Sequence, residues 1–94
     1  MHERVVIRMP IERDLLNYIQ AIEYETEGLK VLHNHALAAE LPDKTVQQLY
    51  AKYQEKYQEY RLAKDEMWEE YGREYRHAKC WHVDYQRGVM YIEL

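Results

Sequence analysis

The residues best suited to chemistry lie in one stretch, EYRHAKCWHVD, at positions 74–84. Its metal-capable side chains are Glu74, His77, Cys80, His82 and Asp84. His77, Cys80 and His82 could offer N, S and N ligands to zinc, but their spacing matches no standard zinc pattern, and a fourth ligand would have to come from elsewhere, such as His2. The alternative is a helix-to-strand junction in which the cysteine is a small hydrophobic side chain. We therefore predict no metal site and no cofactor.

Other catalytic patterns are equally incomplete. Glu74 and His77 form the Glu-x-x-His pair that di-iron helical proteins use, but the chain has no second pair of this type. His33 and His35 belong to an HNH triplet; on a helix, residues two apart point about 200° away from each other and cannot share one ligand. The chain has no serine, three scattered glycines, and nothing that marks Cys80 as a nucleophile. We predict that the protein is not an enzyme.

The tail CWHVDYQRGVMYIEL, residues 80–94, alternates as a β-hairpin does. A two-residue turn at Arg87-Gly88 would pair Gln86 with Val89 and Val83 with Ile92; a three- or four-residue loop with a left-handed Gly88 is the alternative. This register predicts one apolar face, made of Trp81, Val83, Tyr85, Met90, Ile92 and Leu94.

The opposite face of the hairpin is mostly polar, yet it carries Val89 and Tyr91 beside His82. We predict these three residues as binding contacts, reached by a partner that adds a strand to an exposed sheet edge. The alternative is that they pack under a third element or across a dimer.

The rest of the chain supplies two long helices and a further strand. Residues 3–9, ERVVIRM, read as a strand that Pro10 ends, and a lone hairpin needs such a third strand to be stable. Apolar spacing predicts helices over residues 11–40 and 43–77, separated by ELPDKT. Gly28 interrupts the first helix, which indicates a close helix crossing or a slight kink. The prediction is a single α+β domain over 1–94, mainly α, in the order β-αα-ββ: a long antiparallel helical hairpin with a small antiparallel sheet.

The second helix carries a tyrosine-rich seam at alternating steps of four and three. Its members are Val46, Tyr50, Tyr53, Tyr57, Tyr60, Lys64, Met67, Tyr71 and Ala78, and the pattern is missing only at Glu74. Local charge pairing along this helix is poor, because Glu55–Glu59 and Lys52–Lys56 repel at i,i+4. The helix therefore depends on tertiary or intersubunit packing. We predict that the tyrosine seam joins helices, either within one chain or between the two copies of a homodimer.

Composition excludes several partners. The 94-residue chain has a net charge of −4 and no basic block, so it lacks the phosphate-neutralising surface of a nucleic-acid binder. No segment is apolar enough to span a membrane or to act as a signal peptide. The single cysteine, Cys80, suits a reducing compartment, and we expect a cytoplasmic protein.

The tail also resembles a known family. The W-H-V-D-Y and G-V-M-Y-I segments are similar to the C-terminal signature of small proteins encoded beside radical-SAM maturases of CXXX-repeat peptides. The chain shares with them a Gly28-Leu29 pair, a Leu49-Tyr50 pair and the aromatic Trp68. The resemblance implies an accessory protein of about ninety residues in a CXXX repeat peptide modification system, which binds a peptide or an enzyme. It assigns no catalytic residue to this chain.

The leading hypothesis is thus a non-catalytic binding or assembly protein that contacts a protein or peptide, within ribosomal-peptide modification. Two further classes stay open. One is a small phage- or host-encoded inhibitor or regulator that occupies another protein's surface, which the small size and acidity fit. The other is a metal-binding helical-hairpin enzyme that would use the ligand group around His77 and Cys80.

Overall fold

The computed structural model describes residues 5–94. Its elements are, in chain order, β1 (Val6–Pro10), α1 (Arg13–Ala38), α2 (Asp43–Tyr71), a single 3-10 turn (Arg73–Tyr75), β2 (Cys80–Asp84) and β3 (Val89–Glu93). This order confirms the predicted α+β fold with a helical hairpin and a small antiparallel sheet. The first two residues of the predicted strand, 3 and 4, and the suggested fourth ligand His2 lie outside the described residues.

The helix α1 ends two residues before the predicted boundary, for a local reason. Glu40 adopts a left-handed backbone with φ 54°. Its N–H donates to the Leu37 carbonyl at 3.2 Å, and the Leu41 N–H donates to the Ala36 carbonyl at 3.1 Å. These two bonds are the Schellman arrangement that satisfies the last carbonyls of a helix and turns the chain away. The turn to α2 follows at Pro42.

The helix α2 ends at Tyr71, so the prediction that it continues to residue 77 is wrong. The change occurs at Gly72, which is buried and packs so closely on the Trp68 ring that a Cβ there would overlap it. Glycine is a poor helix former, and here its missing side chain makes room for the indole. The chain continues as the 3-10 turn and enters β2 at Cys80.

The predicted hairpin register is also wrong. Asp84 pairs with Val89, Val83 with Met90 and Trp81 with Ile92, so the loop has four residues, 85–88, and Gly88 has a φ of 68°. This is the alternative loop with a left-handed glycine. Since the strand displacement is two residues and side chains alternate with period two, every strand residue keeps its predicted face.

The strand β1 pairs with β3, which gives the order β1-β3-β2. Ile7 lies opposite Ile92 and Met9 opposite Met90, so these side chains share the inner face of the sheet. Pro10 is the last residue of β1 and does not precede a helix directly; a proline is tolerated there because β1 is an edge strand.

The chain divides into two compact units. The first, which we call the sheet unit, combines the residues up to Tyr18 with Lys64–Leu94, and the second, the helical unit, is Ile19–Ala63. The core of the sheet unit consists of Ile11, Leu16, Met67, Met90 and Ile92. The core of the helical unit consists of Ile19, Ile22, Thr26, Ala36 and Ala63.

Gly28 lies within the helical unit and faces open space. No atom lies within 4 Å of the position that a Cβ would take, so the predicted close helix crossing at this residue is wrong for residues 5–94. Thr26, two residues earlier, is the buried position instead, and its hydroxyl donates to the Ile22 carbonyl at 2.8 Å. This bond satisfies the only polar side chain in that core.

Candidate binding face

The sheet unit presents one side of its sheet away from the buried Met90 and Ile92. We call this side the outer face. The strand register arranges its side chains in three cross-strand rows, which are Val6–Glu93–Cys80, Arg8–Tyr91–His82 and Pro10–Val89–Asp84. The residues of the two edge strands are exposed except for the half-buried Asp84, while those of the central strand β3 are half-buried by their neighbours. The three predicted contacts His82, Val89 and Tyr91 therefore lie together on one accessible surface.

Tyr91 is the centre of the outer face. It lies on the middle strand between Arg8 and His82. The His82 ring stacks on the Tyr91 ring with a centroid distance of 5.1 Å and an interplanar angle of 25°. Stacking of this kind holds both rings in place. The row thus joins a tyrosine ring, an imidazole and a guanidinium, and tyrosine and arginine are enriched at protein interfaces.

Polar contacts define the two ends of the outer face. At one end the Cys80 thiol donates to Glu93 Oε2 at 3.2 Å. At the other, Asp84 Oδ1 accepts from the Arg87 backbone N–H at 3.1 Å, and the Gly88 N–H donates to the Asp84 carbonyl at 2.8 Å. The Asp84 carboxylate thus folds the four-residue loop onto the end of β2.

Residues 11 and 13 hold the loop between β2 and β3 in position. Arg13, in the first turn of α1, donates from Nη1 to the Tyr85 carbonyl and from Nη2 to the Gln86 carbonyl at 3.1 Å. The Ile11 N–H donates to the Gly88 carbonyl at 2.9 Å. These bonds connect residues more than seventy positions apart, so the loop is held by the start of the chain and not only by its own turn.

Two indoles complete this support. Trp68 of α2 and Trp81 of β2 stack with a centroid distance of 5.2 Å and an interplanar angle of 5°. The Lys64 ammonium lies 5.5 Å from the Trp81 ring centroid, a cation–π distance. Trp81 lies on the inner face of β2, so the stack supports this edge strand, which carries His82 on its outer face.

The structure separates the residues that could have bound a metal. Cys80 bonds to Glu93, His82 stacks on Tyr91, and His77 lies in the turn that precedes β2. Glu74 belongs to the 3-10 turn, so Glu74 and His77 do not form a pair on an α-helix. Within residues 5–94 no three His, Cys, Asp or Glu side chains are grouped to hold a metal ion.

The order of the strands changes how Val89 and Tyr91 could be reached. Both lie on the central strand, whereas β1 and β2 are the two edges. An added strand would pair with an edge, and only side chains that cross the outer face would touch Val89 or Tyr91. Sequence patterns alone did not reveal Arg8 as the third member of the central row, because its place depends on β1 pairing with β3.

The predicted tyrosine seam is divided between the two units. In the sheet unit, Met67 is fully buried and the Tyr71 hydroxyl accepts from the Glu12 N–H at 3.3 Å. In the helical unit, Tyr53 and Tyr60 are half-buried, but Tyr50 and Tyr57 are 50% and 38% exposed.

The predicted seam does not include two positions of α2 that face inward: Leu49, which is half-buried, and Ala63, which is buried. Steps of three and then four from Val46 reach both of them, whereas steps of four and then three reach Tyr50 and Lys64. Both patterns share Tyr53, Tyr60 and Met67. Two of the predicted tyrosines, Tyr50 and Tyr57, therefore lie on a helical stripe that adjoins the buried one.

No helix in residues 5–94 combines the length and the apolarity needed to cross a membrane.

A scan against known protein families matches none of them, and searches of the curated proteins and of the solved structures find no match to this chain.

Proposed function

We propose that this chain is a non-catalytic accessory protein that binds a protein or peptide partner through its outer face. The observation that carries the proposal is the central row Arg8–Tyr91–His82 on an accessible sheet face. Interface centres are enriched in tyrosine and arginine, and a half-buried, stacked tyrosine loses little side-chain entropy when a partner covers it. Val89 and Pro10 extend the apolar area beside this row.

The partner segment is extended and lies along β2. Of the two edge strands, β1 ends in Pro10, which has no N–H to donate, whereas β2 contains no proline. Main-chain hydrogen bonds between the segment and β2 give affinity. Every second side chain of the segment extends across His82 toward Tyr91. This geometry gives Tyr91 and Val89 a role in side-chain selection.

The test is a selection from a displayed library of random peptides on the purified protein, followed by affinity measurements on the enriched sequences. We expect Tyr91→Ala to weaken these peptides by about tenfold or more, the size typical of a central interface aromatic. Arg8→Glu gives a second variant on the same row, with a side chain that is exposed and outside the core. The matched control is Tyr18→Ala, an exposed tyrosine on α1.

Failure to enrich any sequence, or enriched peptides that bind both Tyr91→Ala and Arg8→Glu as tightly as the unchanged protein, would refute this function. Circular dichroism of each variant shows whether the fold is retained.

The pathway that we propose is ribosomal-peptide modification, and its support is the W-H-V-D-Y and G-V-M-Y-I resemblance of the tail. Two residues of that resemblance, His82 and Tyr91, lie on the central row of the outer face. The partners to test are a maturase enzyme and a precursor peptide that are encoded beside the gene. We propose that the protein binds them in the cytoplasm. Calorimetry with each purified partner should show binding that Tyr91→Ala reduces; absence of binding to both would remove this pathway.

We further propose that a second copy of the chain covers part of the helical unit. Its large hydrophobic side chains that are at least half exposed are Tyr24, Val31, Leu32, Leu37, Tyr50 and Leu62. Gly28 lies among the first of these with open space above it, which would let another helix approach closely. Light scattering at micromolar concentration should give the mass of two chains, and a strict monomer would contradict this assembly.

A further inference from the structure

The helical unit contains a groove that no sequence pattern indicated. It encloses about 300 Å³, and its walls come from both helices. The lining residues are Glu23, Thr26, Glu27 and Lys30 of α1, with Tyr53, Tyr57 and Tyr60 of α2. This volume is at the lower end of the range for small-molecule sites, and three aromatic rings with a few polar groups are a common lining for such a site.

The α1 wall of the groove carries a net negative charge. Glu23 and Glu27 lie one helical turn apart, where two carboxylates repel each other by a few tenths of a kcal/mol. In the part of the chain that the structure describes, neither carboxylate lies within 4.0 Å of a cationic group. Within the described residues, both carboxylates are therefore available to pair with a cation.

The neighbouring Glu25 is different, since it forms an ion pair with Lys56 at 2.9 Å. Lys56 also pairs with Glu59 at 3.2 Å, and hydrogen bonds to Glu25 and Glu59 raise the pKa of its ammonium. The charge of Lys56 is thus engaged by these two partners, neither of which lines the groove. Among the described residues, Lys30 is the only cation in the lining, so these residues place two carboxylates against one ammonium.

The α2 wall of the groove is aromatic. The Tyr53 and Tyr57 rings stack with a centroid distance of 6.0 Å and an interplanar angle of 28°. The negative face of a tyrosine ring attracts a cation, and its apolar surface accepts a methylene chain. A ligand with a hydrocarbon stem and a cationic end would match both walls at once.

We propose that this groove binds an alkylammonium group, as a free primary amine or a lysine side chain of a peptide carries it. The ammonium lies against Glu23 and Glu27, and the hydrocarbon stem lies over the tyrosine rings. An anion is disfavoured by the net negative lining, and a neutral apolar ligand would leave both carboxylates unpaired and partly desolvated. The site consists of residues of the helical unit and is independent of the function proposed for the outer face.

The first test follows the tyrosine ring resonances by NMR while n-butylammonium chloride is added at constant ionic strength. We expect saturable shifts of Tyr53, Tyr57 and Tyr60, and at least about tenfold weaker binding of n-butanol, which has the same stem without the charge. Acetyl-lysine-methylamide distinguishes the two sources, because it binds only if the groove accepts a side chain attached to a peptide backbone. Equal binding of butanol and butylammonium would overturn the proposal.

The second test uses variants with opposite expected effects. The double change Glu23→Gln with Glu27→Gln should weaken butylammonium about tenfold, whereas Lys30→Gln should strengthen it about threefold, because it removes a competing cation from the lining. The matched control is Glu55→Gln, an exposed carboxylate on α2 that does not line the groove, and it should change the affinity little. Unchanged affinity in the double variant, or weaker affinity in Lys30→Gln, would also overturn the proposal.

Discussion

The two units of the chain use their apolar residues in different ways. The sheet unit buries Leu16, Met67, Met90 and Ile92 completely, and backbone bonds from Ile11 and the Arg13 side chain tie its loop to the start of the chain. In the helical unit Ile19 is the large side chain that is fully buried, and the other core positions include Thr26, Ala36 and Ala63. The difference shows that long-range packing stabilises the sheet unit, whereas the helical unit has a thin core.

This contrast bears on function. A well-packed sheet unit is a rigid support for the outer face, and rigid elements present binding residues with little loss of entropy. The helical unit instead directs tyrosines to a groove and leaves several aliphatic side chains exposed, as an element completed by a ligand or a second copy would do.

The largest effect is expected from truncation of the sheet-unit core. Ile92→Ala removes a fully buried side chain on the central strand and should reduce the free energy of unfolding by about 3–5 kcal/mol, the range for a large-to-small change that leaves a cavity. Ile22→Ala, in the helical unit, is the matched variant and should cost less, about 2 kcal/mol, since a thin core can relax. Urea unfolding followed by circular dichroism measures both. An equal or larger cost for Ile22→Ala would show that the core of the helical unit is as tightly packed as that of the sheet unit.

The next effect concerns Gly72 in the sheet unit. A Cβ at this position would overlap the Trp68 ring, which the stack on Trp81 holds in place. Gly72→Ala should therefore lower the free energy of unfolding by about 1–3 kcal/mol, as overpacking of a filled site does. Near-ultraviolet circular dichroism should show the loss of the paired-indole signal. A variant that keeps this signal and the full stability would contradict the close packing at Gly72.

Gly28 in the helical unit should respond in the opposite direction. Because nothing lies within 4 Å of its Cβ position, Gly28→Ala should stabilise α1 by about 0.5–1 kcal/mol through helix propensity. Thermal unfolding of the diluted protein isolates this gain from any effect on association. If Gly28→Ala also lowers the mass found by light scattering, Gly28 contacts a second copy. A loss of stability in the diluted protein would instead show that the helix surface at Gly28 is not open.

The smallest effect is the pH dependence of the Lys56 ion pairs. Glu25 and Glu59 raise the pKa of Lys56 above its ordinary value of 10.5, so the pairs contribute fully below that pH and are lost as the pH rises through the higher folded-state pKa. The difference in Tm between the protein and its Lys56→Met variant should stay constant to about pH 10 and shrink above it. The other titrating groups, tyrosines included, are common to both proteins and cancel to first order. A difference that grows above pH 10 would show that these pairs do not stabilise the folded chain.

Much of the fold could be predicted from particular residues. The alternation of Trp81, Val83, Met90 and Ile92 predicted the inner face of the hairpin, and this survived a wrong register because the displacement was two residues. Pro10, Pro42 and Asp43 marked the boundaries between elements, since proline restricts the backbone and an acidic residue favours a helix start. The end of α2 could not be predicted, because its helical pattern continues past Gly72 and only the contact with Trp68 explains the break.

The candidate site was predicted in part for the same reason. Val89, Tyr91 and His82 were placed on one face by strand alternation alone, but Arg8 joined them only when β1 paired with β3. The groove could not be predicted, because Glu23, Glu27 and the tyrosines lie on different helices and their proximity depends on the register between α1 and α2.

By itself, then, the order of residues determined the elements, their faces and the tyrosine-rich character of α2, since each of these follows from local periodicity and backbone stereochemistry. Tertiary structure decided which strand lies in the centre, where α2 ends, which stripe of that helix is buried, and which charged residues lack a partner. Each of these depends on contacts between residues far apart in the chain, and many alternative contacts are compatible with the same local pattern.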